Sequence, residues 1–235
     1  MKAARLGALL IWGMAGALGA TPHLEAEVPG PALAVRPTLA ADPSLSAVRP
    51  VARAVGIPRT RWDTRLNGRL WARAALQAVK THGAILEETV PQDIEAWCPA
   101  YEENSPEQRR AFWVGLMSAL SKHESTYNPT AVGGGNQWFG LLQIFPPTAR
   151  SYGCHARTGA ALKDATDNLS CAVRIMAVTV PRDNAVAVHD GRWRGVAADW
   201  GPMVSSAKRR EMAAWTRRQT YCRPLESVRP VARED

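Results

Sequence analysis

Apolar positions in this chain recur at steps of three and four, and no run of useful length alternates as a half-buried strand does. From Asp63 to about His82, the residues Leu66, Leu70, Ala74, Leu76 and Val79 follow helical spacing, with Asp63 or Thr64 available as a cap and Gly83 as a stop. A better marked helix follows. Ser105 can cap it, Pro106 suits its first position and Gln108 completes a Ser-x-x-Gln capping box. It should run to about His123 behind a stripe of Phe112, Trp113, Leu116, Met117 and Leu120. Pro146-Pro147 opens another helix. Asp164 or Thr166 caps one that reaches about Val180, with Leu169, Ala172, Val173, Met176 and Val180 buried and Pro181 as its stop. A short helix near Arg194 to Trp200 and a last one from Ser206 to about Gln219 complete the set. The expected fold class is mainly α.

Outside residues 62–222, taken as the folded domain, the pattern fails. Residues 1–20, MKAARLGALLIWGMAGALGA, place Lys2 and Arg5 before an apolar stretch ending in small residues, the layout of a signal peptide. That stretch is too short and too rich in glycine and alanine for a membrane span, and no transmembrane segment is expected in the mature protein. Residues 21–61 read as a disordered linker, with seven prolines between 21 and 60 and no sustained period. Residues 223–235 read as a flexible tail. The string VRPVAR occurs at 48–53 and again at 228–233, a repetition for which the residues supply no physical reason.

Export implies an oxidising, periplasmic or cell-envelope compartment, so Cys98, Cys154, Cys171 and Cys222 read as two disulfides. Of three pairings the preferred one is Cys98 with Cys222, tying the ends of the domain together, and Cys154 with Cys171, clamping a helix start to the preceding loop. Cys154, His155, Cys171 and His189 lack the short ligand spacings of structural zinc sites, so no metal is expected. Net charge is +8, and +6 once Lys2 and Arg5 are removed. An acidic partner fits this charge, and outside the cytoplasmic membrane that means wall polymers or lipid head groups; nucleic acid is not expected. The basic runs at 208–210 and 217–218 read as the solvated face of a terminal helix.

Continuing the stripe of the 106–123 helix by four from Leu120 lands on Glu124. There the helix dipole is negative and the neighbours are apolar, and both disfavour a carboxylate. The expected result is a glutamic acid with a raised pKa that holds a proton near neutrality. The competing reading ends the helix a residue earlier, with Glu124 turned to water or paired with Lys122 or a distant arginine.

Glu124-Ser125-Thr126-Tyr127-Asn128-Pro129-Thr130-Ala131, then a glycine-rich loop, Gly140-Leu141-Leu142-Gln143-Ile144, and Pro146, Thr148 and Ala149 resemble the signature of soluble lytic transglycosylase (SLT) domains, in the lysozyme-like, mainly α superfamily. The likeness covers roughly Ala111 to Trp200. It implies a cleft in which Glu124 protonates the glycosidic oxygen between N-acetylmuramic acid and N-acetylglucosamine of peptidoglycan strands, then takes the proton of the muramyl 6-hydroxyl as a 1,6-anhydro ring closes. The substrate's acetamido group can stand in for a second acid, and no acidic residue lies between Glu124 and Asp164. The reaction needs no cofactor.

The resemblance also suggests substrate contacts. Ser125 sits beside the acid, or is a plain C-terminal helix serine. Gln143 can read an N-acetyl group with an amide that both donates and accepts, or can stabilise its loop. Tyr127, Trp138 and Phe139 can stack on sugars, although aromatics beside an apolar helix more often belong to the core. The chain departs from the family's Ala-Tyr-Asn-x-Gly-Pro segment at Ala197-Ala198-Asp199-Trp200-Gly201-Pro202, which puts Ala198 at the tyrosine position and Asp199 at the asparagine. Either another aromatic, such as Trp200 or Trp193, fills the tyrosine's place from a shifted frame, or this end of the cleft is built differently. Asp199 also admits a hydrolytic muramidase on the same fold, and a non-catalytic wall-binding module is the reading from another class. The linker leaves room for a partner in the cell-envelope machinery without naming one.

Overall fold

The computed structural model describes residues 56–224. The segment read as a signal, the linker up to residue 55, the tail from 225 and both copies of VRPVAR lie outside the described residues. Packing begins before residue 62. Pro58 and Thr60 are buried, the Thr60 N–H donates to the Asp63 carboxylate at 3.0 Å, and the Arg61 N–H donates to the Ser118 hydroxyl at 3.1 Å.

With its carboxylate engaged by Thr60, Asp63 does not cap the first helix, and α1 spans Gly68–Lys80. Its buried face is Trp71, Ala72, Ala75, Ala78 and Val79, one step round from the stripe expected from the leucines; Leu66 is fully exposed and Leu70 54% exposed. Trp71 removes more apolar surface from water than either leucine, and the three alanines let the α1 backbone lie close against α6. Gly83 serves the same approach: a Cβ there would fall 2.4 Å from Cγ1 of Val173. Two single-turn helices follow, α2 (Ile85–Glu88) and α3 (Ile94–Trp97).

The expected capping box starts α4 (Pro106–Glu124), with the Gln108 N–H donating to Ser105 Oγ at 3.4 Å and the Ser105 N–H to Gln108 Oε1 at 3.0 Å. Instead of one buried stripe, every residue from Ala111 to Ser121 is buried. α4 is the central helix, enclosed by α1, α2 and α7. Its buried hydroxyls are satisfied within the helix, Ser118 to the Gly115 carbonyl at 2.6 Å and Ser121 to that of Ser118 at 2.9 Å.

A two-stranded antiparallel hairpin, β1 (Val132–Gly133) and β2 (Trp138–Phe139), carries the glycine-rich loop. After α5 (Pro146–Ser151) comes α6 (Ala165–Asp183), where Asp164 Oδ1 accepts the N–H groups of Thr166 and Asp167 at 2.8 and 3.0 Å. Pro181 does not stop α6. It sits in the last turn, where its missing N–H removes a single ladder bond, and the helix closes at Asn184 in the left-handed region at φ 47°. The helix expected at 194–200 is two 3-10 turns, Gly195–Ala198 and Gly201–Val204. α7 (Ser206–Arg217) and a 3-10 turn at Thr220–Cys222 end the described chain.

Cys98 is bonded to Cys222 and Cys154 to Cys171, the pairing preferred from the sequence. The first closes a loop with a sequence separation of 124, against 17 for the second. Both sulfurs of the alternative zinc set are thereby taken up. No helix among the described residues is long and apolar enough to cross a membrane.

Candidate active site

The site is built where α4 ends. Glu124 is its last helical residue, and the chain leaves sharply because Thr126 and Tyr127 adopt left-handed φ values of 53° and 62°. The Ser125 and Tyr127 N–H groups both donate to the Ser121 carbonyl, at 3.1 and 3.3 Å, which closes the helix end. The two residues before the acid are fixed from α7: Lys122 Nζ and His123 Nε2 each lie 3.0 Å from the Glu211 carboxylate, which Arg61 also grips. Lys122, two positions before Glu124 on the same helix, faces α7 and not the acid.

Glu124 makes no side-chain hydrogen bond to the described residues. The side chain is partly buried at the helix end, and that burial pushes its pKa up to about 7, against the opposing charge of Lys208. Glu124 is thus poised between acid and base at neutral pH.

Opposite the helix end stands the Gly140–Ile144 loop, held from three sides. The Ser125 hydroxyl donates to the Leu141 carbonyl at 2.9 Å. Trp200 Nε1 donates to the Leu142 carbonyl at 3.0 Å. The buried Asn168 amide accepts the Leu142 N–H at 3.0 Å and donates to the carbonyls of Phe139 and Leu162 at 2.9 and 3.0 Å. Gly140 has φ 82°, and a Cβ on it would come 2.1 Å from the Leu162 carbonyl oxygen and 2.3 Å from Asn168 Nδ2; only glycine fits there. Gln143 is again left-handed, at φ 46°.

Beside this loop lies a cavity of about 70 Å³ lined by Trp138, Gln143, Ile144, Thr148, Asp199 and Trp200, among others. Gln143 donates both amide hydrogens to backbone, to Gly140 at 2.9 Å and Ala131 at 3.3 Å, so its carbonyl oxygen is the group left for a ligand. Trp138 is 43% exposed at the mouth. Asp199 keeps much of its surface open, yet its carboxyl is pushed upward by burial, with Arg182 pulling it back and Asp183 adding to the rise. Trp200 is a buried wall whose N–H is used on the loop.

Three of the aromatic residues suggested for the site do not line this cavity. Phe139 packs over Gly159 with Lys163 above its ring at 5.9 Å. Tyr127 lies beneath Arg65 at 5.1 Å and packs against the core. Trp193 is sandwiched between His189 and Arg209, at 4.7 and 4.5 Å, and does not line the cavity. Glu124 is not in the cavity wall either. Its neighbour Ser125 is the residue that reaches the loop, through the Leu141 carbonyl.

Asn168, Glu211 and Lys208 are contributors that the sequence reading missed. Asn168 had a signal, a polar residue inside the otherwise apolar stripe of α6. Glu211 and Lys208 act across α7 and left none in local spacing; Lys208 belongs to a run read as plainly solvated. Among the described residues, no group of three or more His, Cys, Asp or Glu is placed to hold a metal.

Known proteins share the fold of this chain. Three solved structures of Bd0314 DslA, the wild type in form 2 and two glutamate-to-glutamine mutants, superpose on the chain with TM-scores of 0.65 to 0.66. Sequence identity is 25%, and each match covers 72% of this chain and 100% of the other. No curated protein matches the chain. The family model described as the transglycosylase SLT domain matches residues 103–197, which run from just before α4 through the cavity loop into the 3-10 turn at Gly195–Ala198. The fold is mainly α and lysozyme-like, and within it the segment 103–197 is similar to the transglycosylase SLT domain family.

Proposed function

We propose that the protein is a peptidoglycan lytic transglycosylase of the cell envelope and that Glu124 is its general acid and base. The observation that carries this reading is the Glu124 carboxyl itself, unpartnered at the end of a buried helix with its pKa raised to about 7. In its protonated form it gives its proton to the glycosidic oxygen as the bond from the muramyl C1 to that oxygen breaks. The substrate's acetamido oxygen shields the cationic C1. The resulting carboxylate then removes the proton of the muramyl 6-hydroxyl while that oxygen bonds to C1. Glu124 ends protonated again and no water is consumed.

A single-acid route agrees with the charges. Lys208 is the charged group acting on Glu124, whereas Asp199 is acted on by Arg182 and Asp183. The 70 Å³ cavity, with the Gln143 carbonyl oxygen and Trp138 at its mouth, is the proposed sugar contact. Two disulfides fit the oxidising compartment in which the wall is found.

The test is mass spectrometry of products released from purified peptidoglycan, with Glu124→Gln run alongside. Muropeptides ending in 1,6-anhydromuramic acid, lost by about 100-fold or more in the variant, are expected. Reducing ends would move Asp199 and an attacking water into the mechanism. Absence of products from both proteins would leave a wall-binding module.

A further inference from the structure

A concavity of about 730 Å³ has no part of Glu124 in its lining. α7 turns about 100° per residue, so Lys208, Glu211 and Trp215 share the face turned to α4. Arg210, Ala213, Ala214 and Arg217 share the opposite one, and this face walls the concavity together with α3. Five guanidinium groups border it, from Arg209, Arg210, Arg217, Arg218 and Arg223. Its floor is small and apolar: Ala96, Ala187, Ala213 and Ala214, with the edge of Trp97.

The single acid in its wall does not neutralise these cations. The Asp93 carboxylate accepts from Trp97 Nε1 at 3.1 Å and from the N–H groups of Val186 and Ala187 at 2.7 and 2.8 Å. Arg209 and Arg217 are held in place by backbone carbonyls, Arg209 by Met203 and Val204 and Arg217 by Glu95 and Ala96. Arg210, Arg218 and Arg223 make no hydrogen bond or ion pair to the described residues and are exposed. The groove therefore offers two fixed and three unengaged forks over a floor that accepts methyl groups, and a guanidinium fork pairs with a carboxylate bidentately.

Size narrows the occupant. From Arg210 to Arg217 the wall runs about 10 Å, the span of roughly three extended residues, and the volume falls in the range of pockets for small ligands. A protein–protein interface needs a larger surface, and a bare phosphate polymer has nothing to place on the alanine floor. We infer that this groove binds the short peptide stem of the wall, whose alanine methyls and free carboxylates match floor and rim, on a strand other than the one presented to Glu124. The inference rests on the wall-glycan reading for its source of ligand. Its consequence is an anchor: the enzyme grips one strand by its peptide while cutting another.

The test separates the two readings. Titration calorimetry of the full chain with the sugar-free tripeptide L-Ala-γ-D-Glu-meso-diaminopimelate should show saturable binding that weakens with salt. Arg210→Glu/Arg218→Glu should weaken it at least tenfold, and Ala214→Trp, which fills the floor without changing charge, should do the same. Glu124→Gln should bind the tripeptide as the wild type does. Cleavage of glycan strands stripped of peptide should be unchanged in the arginine double variant. No binding by the wild type, undiminished binding by both groove variants, or equal binding of a peptide with its carboxylates amidated would overturn the inference. Peptide binding without strand cleavage would instead overturn the catalytic reading and leave the groove standing.

Discussion

Replacing Glu124 by glutamine should make the folded protein more stable, by an amount that depends on pH. An ordinary glutamate titrates at 4.5, and this one is held at about 7 chiefly by burial. Between those values the unfolded chain releases the proton while the folded chain keeps it. The native state thus binds more protons, and wild-type stability falls as pH rises, with a slope of about 1.4 kcal/mol per pH unit for this group. Below pH 4.5 the group is protonated in both states and costs nothing; above about 7 the loss is complete and constant. Multiplied across the interval, the full effect is at most about 3 kcal/mol. Glutamine keeps the shape and never ionises. Denaturant unfolding of wild type and Glu124→Gln from pH 4 to pH 8.5 should therefore give a stability difference near zero at the acid end, growing through the interval and flat beyond it. Every other titrating group, including the Glu211 cluster, is common to both proteins and cancels. A difference that is constant with pH, or of the opposite sign, would show that the carboxylate is not withdrawn from water and would remove the physical basis for Glu124 as a neutral-pH acid.

Lys208 opposes the rise in the Glu124 pKa, so Lys208→Met should move the alkaline limb of the kcat/KM profile to higher pH; an unmoved limb would show that the ammonium does not reach the acid. Glu211, held well below its usual range at about 2 by Arg61, His123 and Lys122 against the cost of burial, stabilises the native state above its unfolded pKa. Wild-type stability should fall as pH drops from about 4.5 toward 2, and Glu211→Gln should lose much of that dependence in an acid unfolding series. The Cys98–Cys222 bridge, with its sequence separation of 124, constrains the unfolded chain by about 5 kcal/mol in the loop-entropy account. Cys98→Ala/Cys222→Ala should lower Tm far more than Leu66→Gln, because Leu66 is fully exposed.

What the sequence made legible follows from how local the determinants are. The capping box of α4, the Asp164 cap of α6 and the helical position of Glu124 are each set by residues within four of one another. The face of α1 is not local. Leu66 and Leu70 satisfy the period as well as Trp71 and Ala75 do, and only the presence of α6, which wants small residues against it, selects the alanine side. Pro181 misled for the opposite reason: a rule about helix interiors was applied where the helix was already ending and only one bond was at stake. The continuous burial of α4 was hidden because serine, glycine and alanine do not register as a stripe, although all are enclosed once α2 and α7 pack around them.

The site was legible through motif and obscure through contact, and its backbone explains why. Five non-glycine residues among those described have positive φ, two of them asparagines in turns. The other three are Thr126, Tyr127 and Gln143, all in the segments that join Glu124 to the cavity loop. A β-branched threonine in the left-handed region is strained, and such strain persists only where the surroundings over-determine it. Here those surroundings are Ser125 on the Leu141 carbonyl, Trp200 on that of Leu142 and Asn168 on the Leu142 N–H. The residues of the signature are thus mostly those that hold two strained turns in register, and the acid makes no side-chain hydrogen bond to the described residues. A chain selected only to fold would relieve the turns with glycine and give the carboxylate a partner. That the local rules are broken together, around one unpaired carboxyl, is the physical argument that this end of α4 is kept for chemistry.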